Sequence, residues 1–85
     1  SNYNSRYKPA EVLVRNGKGV LAQVATAISA AEADITHIAM DQEPASENVE
    51  LRVLVSVRDR VHLADVLRAL RRVPVVQRVW RHRPG

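Results

Sequence analysis

The chain has no cysteine, so neither a disulfide nor a thiolate metal site can form, and a reducing compartment suits it. Phenylalanine is also absent, and the aromatic complement is one tryptophan and two tyrosines. Little is therefore available for stacking on nucleic-acid bases. No apolar run approaches the roughly 20 residues that a bilayer-spanning helix needs, and no signal-peptide pattern opens the sequence. These absences lead to the expectation of a soluble, cytoplasmic domain without membrane contact. Acidic residues are in deficit, 9 against 13 lysines and arginines, for a formal charge of +4.

What is present is one small domain. The 85 residues are 46% hydrophobic and 26% charged, which reads as globular and two layers thick, with a core small enough to lean on a partner. Residues 1–6 are polar and aperiodic and read as a disordered tail or an expression remnant, leaving 7–85 as the folded unit. Arginines crowd the last third: Arg58, Arg60, Arg68, Arg71, Arg72, Arg78, Arg81 and Arg83. Such a face is either solvated or suited to an anionic partner.

Hydrophobic periodicity divides the chain into six elements. Ala10, Val12 and Val14 alternate with Glu11, Leu13 and Arg15 as a half-buried strand. Asn16-Gly17 is expected to end it, since both residues tolerate positive φ. Val20, Leu21, Val24, Ile28 and Ala31 recur at helical spacing, with alanines on the remaining face. "DITHIAMDQ" is a weakly patterned strand whose apolar members are Ile35, Ile38 and Met40, and Pro44-Ala45-Ser46 is the turn after it. Val49, Leu51, Val53, Val55 and Val57 then mark the clearest strand. Asp59 is a candidate helix N-cap, Leu63, Val66, Leu67 and Leu70 form the stripe behind it, and Val73-Pro74 closes that helix. A last strand carries Val76 and Val79. This βαββαβ order predicts a ferredoxin-like α+β fold, a four-stranded antiparallel sheet with both helices on one face.

Catalytic constellations are missing. His37, His62 and His82 lie in different elements, none beside a serine nucleophile or a carboxylate pair, and His62 is expected at the surface. No zinc-binding or paired-acid spacing exists, so no metal, cofactor or catalytic residue is expected in this domain. Gly17-Lys18-Gly19 is not a phosphate loop, because Val20 stands where a Walker motif needs Ser or Thr. It is not a dinucleotide fingerprint either, because Ala22 occupies the third glycine position. The turn either merely needs glycine or presents helix-start amides to a carboxylate. Many RNA-recognition modules share this architecture, but the expected central strands carry no aromatic for base stacking.

The run "VLVRNGKGVLAQVATAISAAEADI", from Val12 to Ile35, resembles an ACT domain: strand, glycine turn, Val-Leu, helix, then "DI" opening the second strand. "VSVRDRVHLADVLRALRRVPVVQRVWR" is similar to the C-terminal ACT domain of the RelA/SpoT family of (p)ppGpp synthetases and hydrolases. Together the likeness spans about residues 7 to 83. It implies a regulatory, non-catalytic end of a larger GTP pyrophosphokinase, (p)ppGpp 3'-pyrophosphohydrolase or both. It further implies an amino-acid site formed by Asn16, Gly17, Lys18, Gly19, Val20 and Leu21, completed by Ile35, Thr36, His37 and Ile38 of a neighbouring protomer's strand. Asn16 stands where amino-acid-sensing members often carry aspartate. The apolar neighbours suggest a branched-chain amino acid.

Two other readings stay open, a ribosomal-RNA docking module of the same enzyme and a stand-alone amino-acid-binding ACT protein. The second strand is expected at a sheet edge and, with the alanine-lined first helix, suggests a homodimer. Leu13, Arg52, Leu54, Arg78, Trp80 and Arg81 are expected to form an interaction surface on the bare sheet face, toward the catalytic domains or RNA.

Overall fold

The structure is a computed structural model that describes residues 7–40 and 46–81. The expected tail, His82, and Asp41, Gln42, Pro44 and Ala45 around the turn lie outside the described residues. Six elements follow in the expected order: β1 (Tyr7–Arg15), α1 (Val20–Ala30), β2 (Asp34–Met40), β3 (Asn48–Ser56), α2 (Arg60–Arg71) and β4 (Val76–Arg81). The strands form one antiparallel sheet in the order β2-β3-β1-β4. One face of that sheet is covered by both helices, giving the ferredoxin-like α+β fold.

The core is aliphatic. Ala10, Val12 and Val14 of β1 and Leu51, Val53 and Val55 of β3 are buried beneath Val24 and Ile28 of α1 and Val66 and Leu70 of α2. Their pairing runs without interruption from Tyr7 opposite Ser56 to Arg15 opposite Asn48. Strict alternation on both strands holds that register, since a slip by one residue would expose every one of these side chains.

Both outer strands are irregular. In β2, Thr36 is an extra residue between the Ile35–Val55 and His37–Leu54 pairs, and its hydroxyl donates to the Leu54 carbonyl at 3.1 Å. The bulge lets Ile35 and Ile38, three positions apart, both pack against the core. In β4, Gln77 is the extra residue between Val76 and Arg78.

The helix ends differ in chemistry. Asp59 caps α2 as expected, its carboxylate accepting from the His62 N–H at 2.8 Å. No side chain caps α1; the chain enters it through Gly19 at φ 76°. That conformation favours glycine, because a Cβ would crowd the following carbonyl. Neither Asn16 nor Gly17 has a positive φ, so the expected role of that pair belongs to Gly19. At its far end α1 closes with Glu32 at φ 64°. There the Ala33 N–H reaches the Ile28 carbonyl at 3.2 Å and the Glu32 N–H reaches Ser29 at 2.9 Å, the paired bonds of a Schellman cap.

Two side chains depart from the expected pattern. Leu21 is 43% exposed, because only Val20, Val24 and Ile28 of α1 lie on its buried stripe. His62, expected at the surface, is 3% exposed. It shares the inner face of α2 with Leu63 and Val66, and both ring nitrogens are satisfied. Nδ1 accepts from the Arg58 N–H at 3.0 Å, while Nε2 stands 2.8 Å from the Ala31 carbonyl. An acceptor at one nitrogen and a donor at the other define the neutral Nε2–H tautomer. His62 thus joins the end of α1 to the start of α2.

Candidate functional site

The loop between β1 and α1 borders a cavity of about 160 Å³. Asn16, Gly17, Gly19, Val20 and Leu21 line it together with Val14, Val49 and Met40. Asn16 is anchored twice to the segment entering β3: its N–H donates to the Glu47 carbonyl at 2.8 Å and its Nδ2 to Ser46 at 3.1 Å. Those bonds leave Oδ1 as the acceptor the side chain offers. The first amides of α1 have no capping side chain, so this end of the helix carries donors and a partial positive charge. Aliphatic walls, one amide acceptor and a set of backbone donors suit a small zwitterion with an apolar side chain. The volume is close to the roughly 150 Å³ of an engineered cavity that binds benzene, and well below the ~300 Å³ where drug-sized pockets begin.

The expected loop residues therefore meet, except that Lys18 is exposed and does not line the cavity. The second-strand group does not join them within one chain. Ile35 and Ile38 pack against the core, Thr36 occupies the bulge, and His37 pairs with Leu54 on the open sheet face. From β2 the cavity receives Met40 instead. Its position at the end of β2, level with Leu51, could have been found only by knowing the bulge.

On the face away from the helices, Leu13, Leu54 and Trp80 are half-buried and Arg52 and Arg78 exposed. The Arg78 guanidinium lies 4.9 Å from the centroid of the Trp80 ring, a cation–π stack. Arg81 pairs with buried Ala10, so alternation turns it to the helix side, away from the other five expected residues. Sequence reasoning passed over Glu11. It is 2% exposed although it points to the open face, and its Oε2 accepts from Arg52 Nε at 2.9 Å. The signal was the register itself, which sets Glu11 between Arg52 and Trp80.

Among the described residues no three His, Cys, Asp or Glu side chains are grouped to hold a metal ion, and no helix is long and apolar enough to cross a membrane.

Known structures share this architecture. The crystal structure of the ACT domain from GTP pyrophosphokinase of Chlorobium tepidum matches with a TM-score of 0.73 at 18% identity, over 89% of this chain and 96% of that one. The C-terminal domain of the MgtC protein from Mycobacterium tuberculosis matches with a TM-score of 0.67 at 16% identity, over 89% and 84% of the two chains. A homoserine dehydrogenase from Thiobacillus denitrificans matches with a TM-score of 0.62 at 19% identity, over 88% of this chain and 17% of that one. No curated protein sequence matches significantly. The sequence profile of the ACT domain matches residues 8–81, from the first pairs of β1 to the last residue of β4. With the βαββαβ order and a glycine turn at the head of α1, that match makes the chain a member of the ACT domain family, a regulatory module.

Proposed function

We propose that this ACT domain senses a small amino acid for a RelA/SpoT-like enzyme that makes or hydrolyses (p)ppGpp in the cytoplasm. The cavity at the head of α1 carries the reading. Helix-start amides would take the ligand carboxylate, Asn16 Oδ1 would accept from its ammonium, and Val14, Val20, Leu21 and Val49 would surround a branched side chain. The link to the parent enzyme is supported by the run from Val55 to Arg81 and by the likeness to an ACT domain of a GTP pyrophosphokinase. Synthesis and hydrolysis would then belong to other domains, reached through the open face around Leu13, Leu54 and Trp80.

The same reading favours a homodimer. Among the described residues β2 is an outer strand, so alternate amides of it face outward, where another strand can pair. Ala22, Ala25 and Ala30 on the exposed side of α1 let a second backbone approach closely. A partner's β2 would then close the site that Met40 borders from within.

Titration of the labelled domain with each common amino acid tests this. Valine, leucine or isoleucine should shift the amide signals of Gly17 to Leu21 saturably, and acidic or basic amino acids should not. Unmoved signals at saturating additions would reduce Gly17 and Gly19 to turn residues.

A further inference from the structure

We propose that the outer edge of β4 is a docking strip for an extended acidic segment of a partner protein, which pairs with β4 by drawing Arg71 off the Val79 carbonyl. Among the described residues β4 has β1 as its only strand neighbour, which leaves its other edge open. The Val79 carbonyl accepts from Arg71 Nη2 at 3.3 Å, so it points away from β1. Backbone direction alternates along an antiparallel ladder, so Arg81 shares that outward orientation. The bulge at Gln77 ends the regular edge on the other side. What remains is a short strip, Arg78 to Arg81, with Arg71 lying across it.

Arg71 is held weakly there. Its bond to Val79 exceeds the usual range of about 2.7–3.2 Å, and a neutral carbonyl is a poorer acceptor for a guanidinium than a carboxylate. Arg68 and Arg71 on α2 and Arg78 and Arg81 on β4 are all exposed. Among the described residues only Arg68 of these four has an acidic partner, Asp65. A cleft of about 340 Å³ between α2 and the strand, lined by Arg71, Gln77, Arg78 and the valines 76 and 79, gives room for side chains. Positive charge on both flanks draws an acidic segment in and orients it.

The chemistry of the strip favours peptide over nucleic acid. An outward carbonyl needs a donor: an extended peptide offers N–H groups at strand spacing, whereas nucleic-acid phosphates only accept and the 2′-hydroxyls of RNA do not match that spacing. Among the described residues the ring beside the strip is Trp80, and Arg78 already lies over one of its faces, which leaves less of it for base stacking. Docking is then an exchange. A partner carboxylate takes the Arg71 guanidinium, and a partner N–H takes the carbonyl that Arg71 leaves. A neutral strand would gain the second contact but have no group to draw Arg71 away, so the latch selects for acid. The opposite edge has the other character: β2 carries Asp34 and neither lysine nor arginine.

Fluorescence anisotropy with the purified domain tests the exchange. The probes are a labelled peptide of about ten alternating glutamates and valines, the same peptide N-methylated at alternate residues, and a single-stranded RNA of equal charge. The plain peptide should bind, and N-methylation should weaken it at least about tenfold, since charge is kept while donors are lost. Arg71→Glu should cost a similar factor, and the amides of Val79 and Arg81 should become protected from exchange in the complex while those of β2 do not. Equal binding of both peptides, preference for the RNA, protection on β2 alone, or no peptide binding would each overturn the proposal. The N-methylation arm leaves the protein unaltered, so a folding defect in the variant cannot imitate the result.

Discussion

Gly17 and Gly19 sit two positions apart and carry different obligations. Gly19 holds a left-handed φ of 76°, and Gly19→Ala should lower stability by about 1–2 kcal/mol. At Gly17 a Cβ would find only Val20 Cγ2, at 4.0 Å. Gly17→Ala should be neutral or stabilise by up to about 1 kcal/mol through the unfolded chain. Urea titration of the two variants compares them directly, and equal losses would contradict the difference in φ. His62 offers a second contrast. Replacing it by leucine keeps apolar volume but orphans the Ala31 carbonyl and the Arg58 N–H. Both bonds are part-buried, so at about 0.5–1.5 kcal/mol for each bond lost the variant should lose about 1–3 kcal/mol, and an unchanged urea midpoint would refute it. Composition hid both facts. A glycine pair does not reveal which member has positive φ, and a histidine after an N-cap looks solvated until Ala31 arrives from elsewhere in the chain.

Elements were legible wherever a single period ran unbroken. The alternation of Val49, Leu51, Val53 and Val55 identified β3, and the stripe from Leu63 to Leu70 identified α2. The pattern of β2 was weak for a physical reason: Thr36 adds a residue, so apolar positions that should recur by two recur by three. The same insertion concealed Met40 as a cavity residue. Asp59 was readable because a cap is local chemistry, one carboxylate and one amide three residues on. Asp59→Ala should cost about 1 kcal/mol, while Asp59→Ser or Asn should recover most of it. Thermal melts of the three variants decide this, and an Asp59→Ala variant as stable as the parent would deny the cap its role. The ligand side of the site was legible in part. The loop residues are contiguous in sequence and meet at the cavity, whereas the walls from β2 and β3 depend on register.

At the scale of the molecule, the sheet has two outer strands with different surroundings, and assembly should use β2. Sedimentation at tens of micromolar should show a dimer, and proline at Ile38 should return it to monomer by interrupting that edge. A monomer at every concentration would remove the expected second half of the amino-acid site. The open face raises a separate matter, because Glu11 is a buried carboxylate outside the core. Its side chain is only 3% exposed, while that of Arg52, which holds it, is 59% exposed. Sliding β1 by one residue against β3 would turn that carboxylate inward among Leu51, Val53 and the helices. There it would lose its arginine and face only aliphatic side chains, at a cost of several kcal/mol. Valines alone would slide more cheaply, being nearly alike in size and shape. Glu11 therefore works as an orientation mark in a sheet of near-identical side chains: a misaligned hairpin announces its error as a stranded charge.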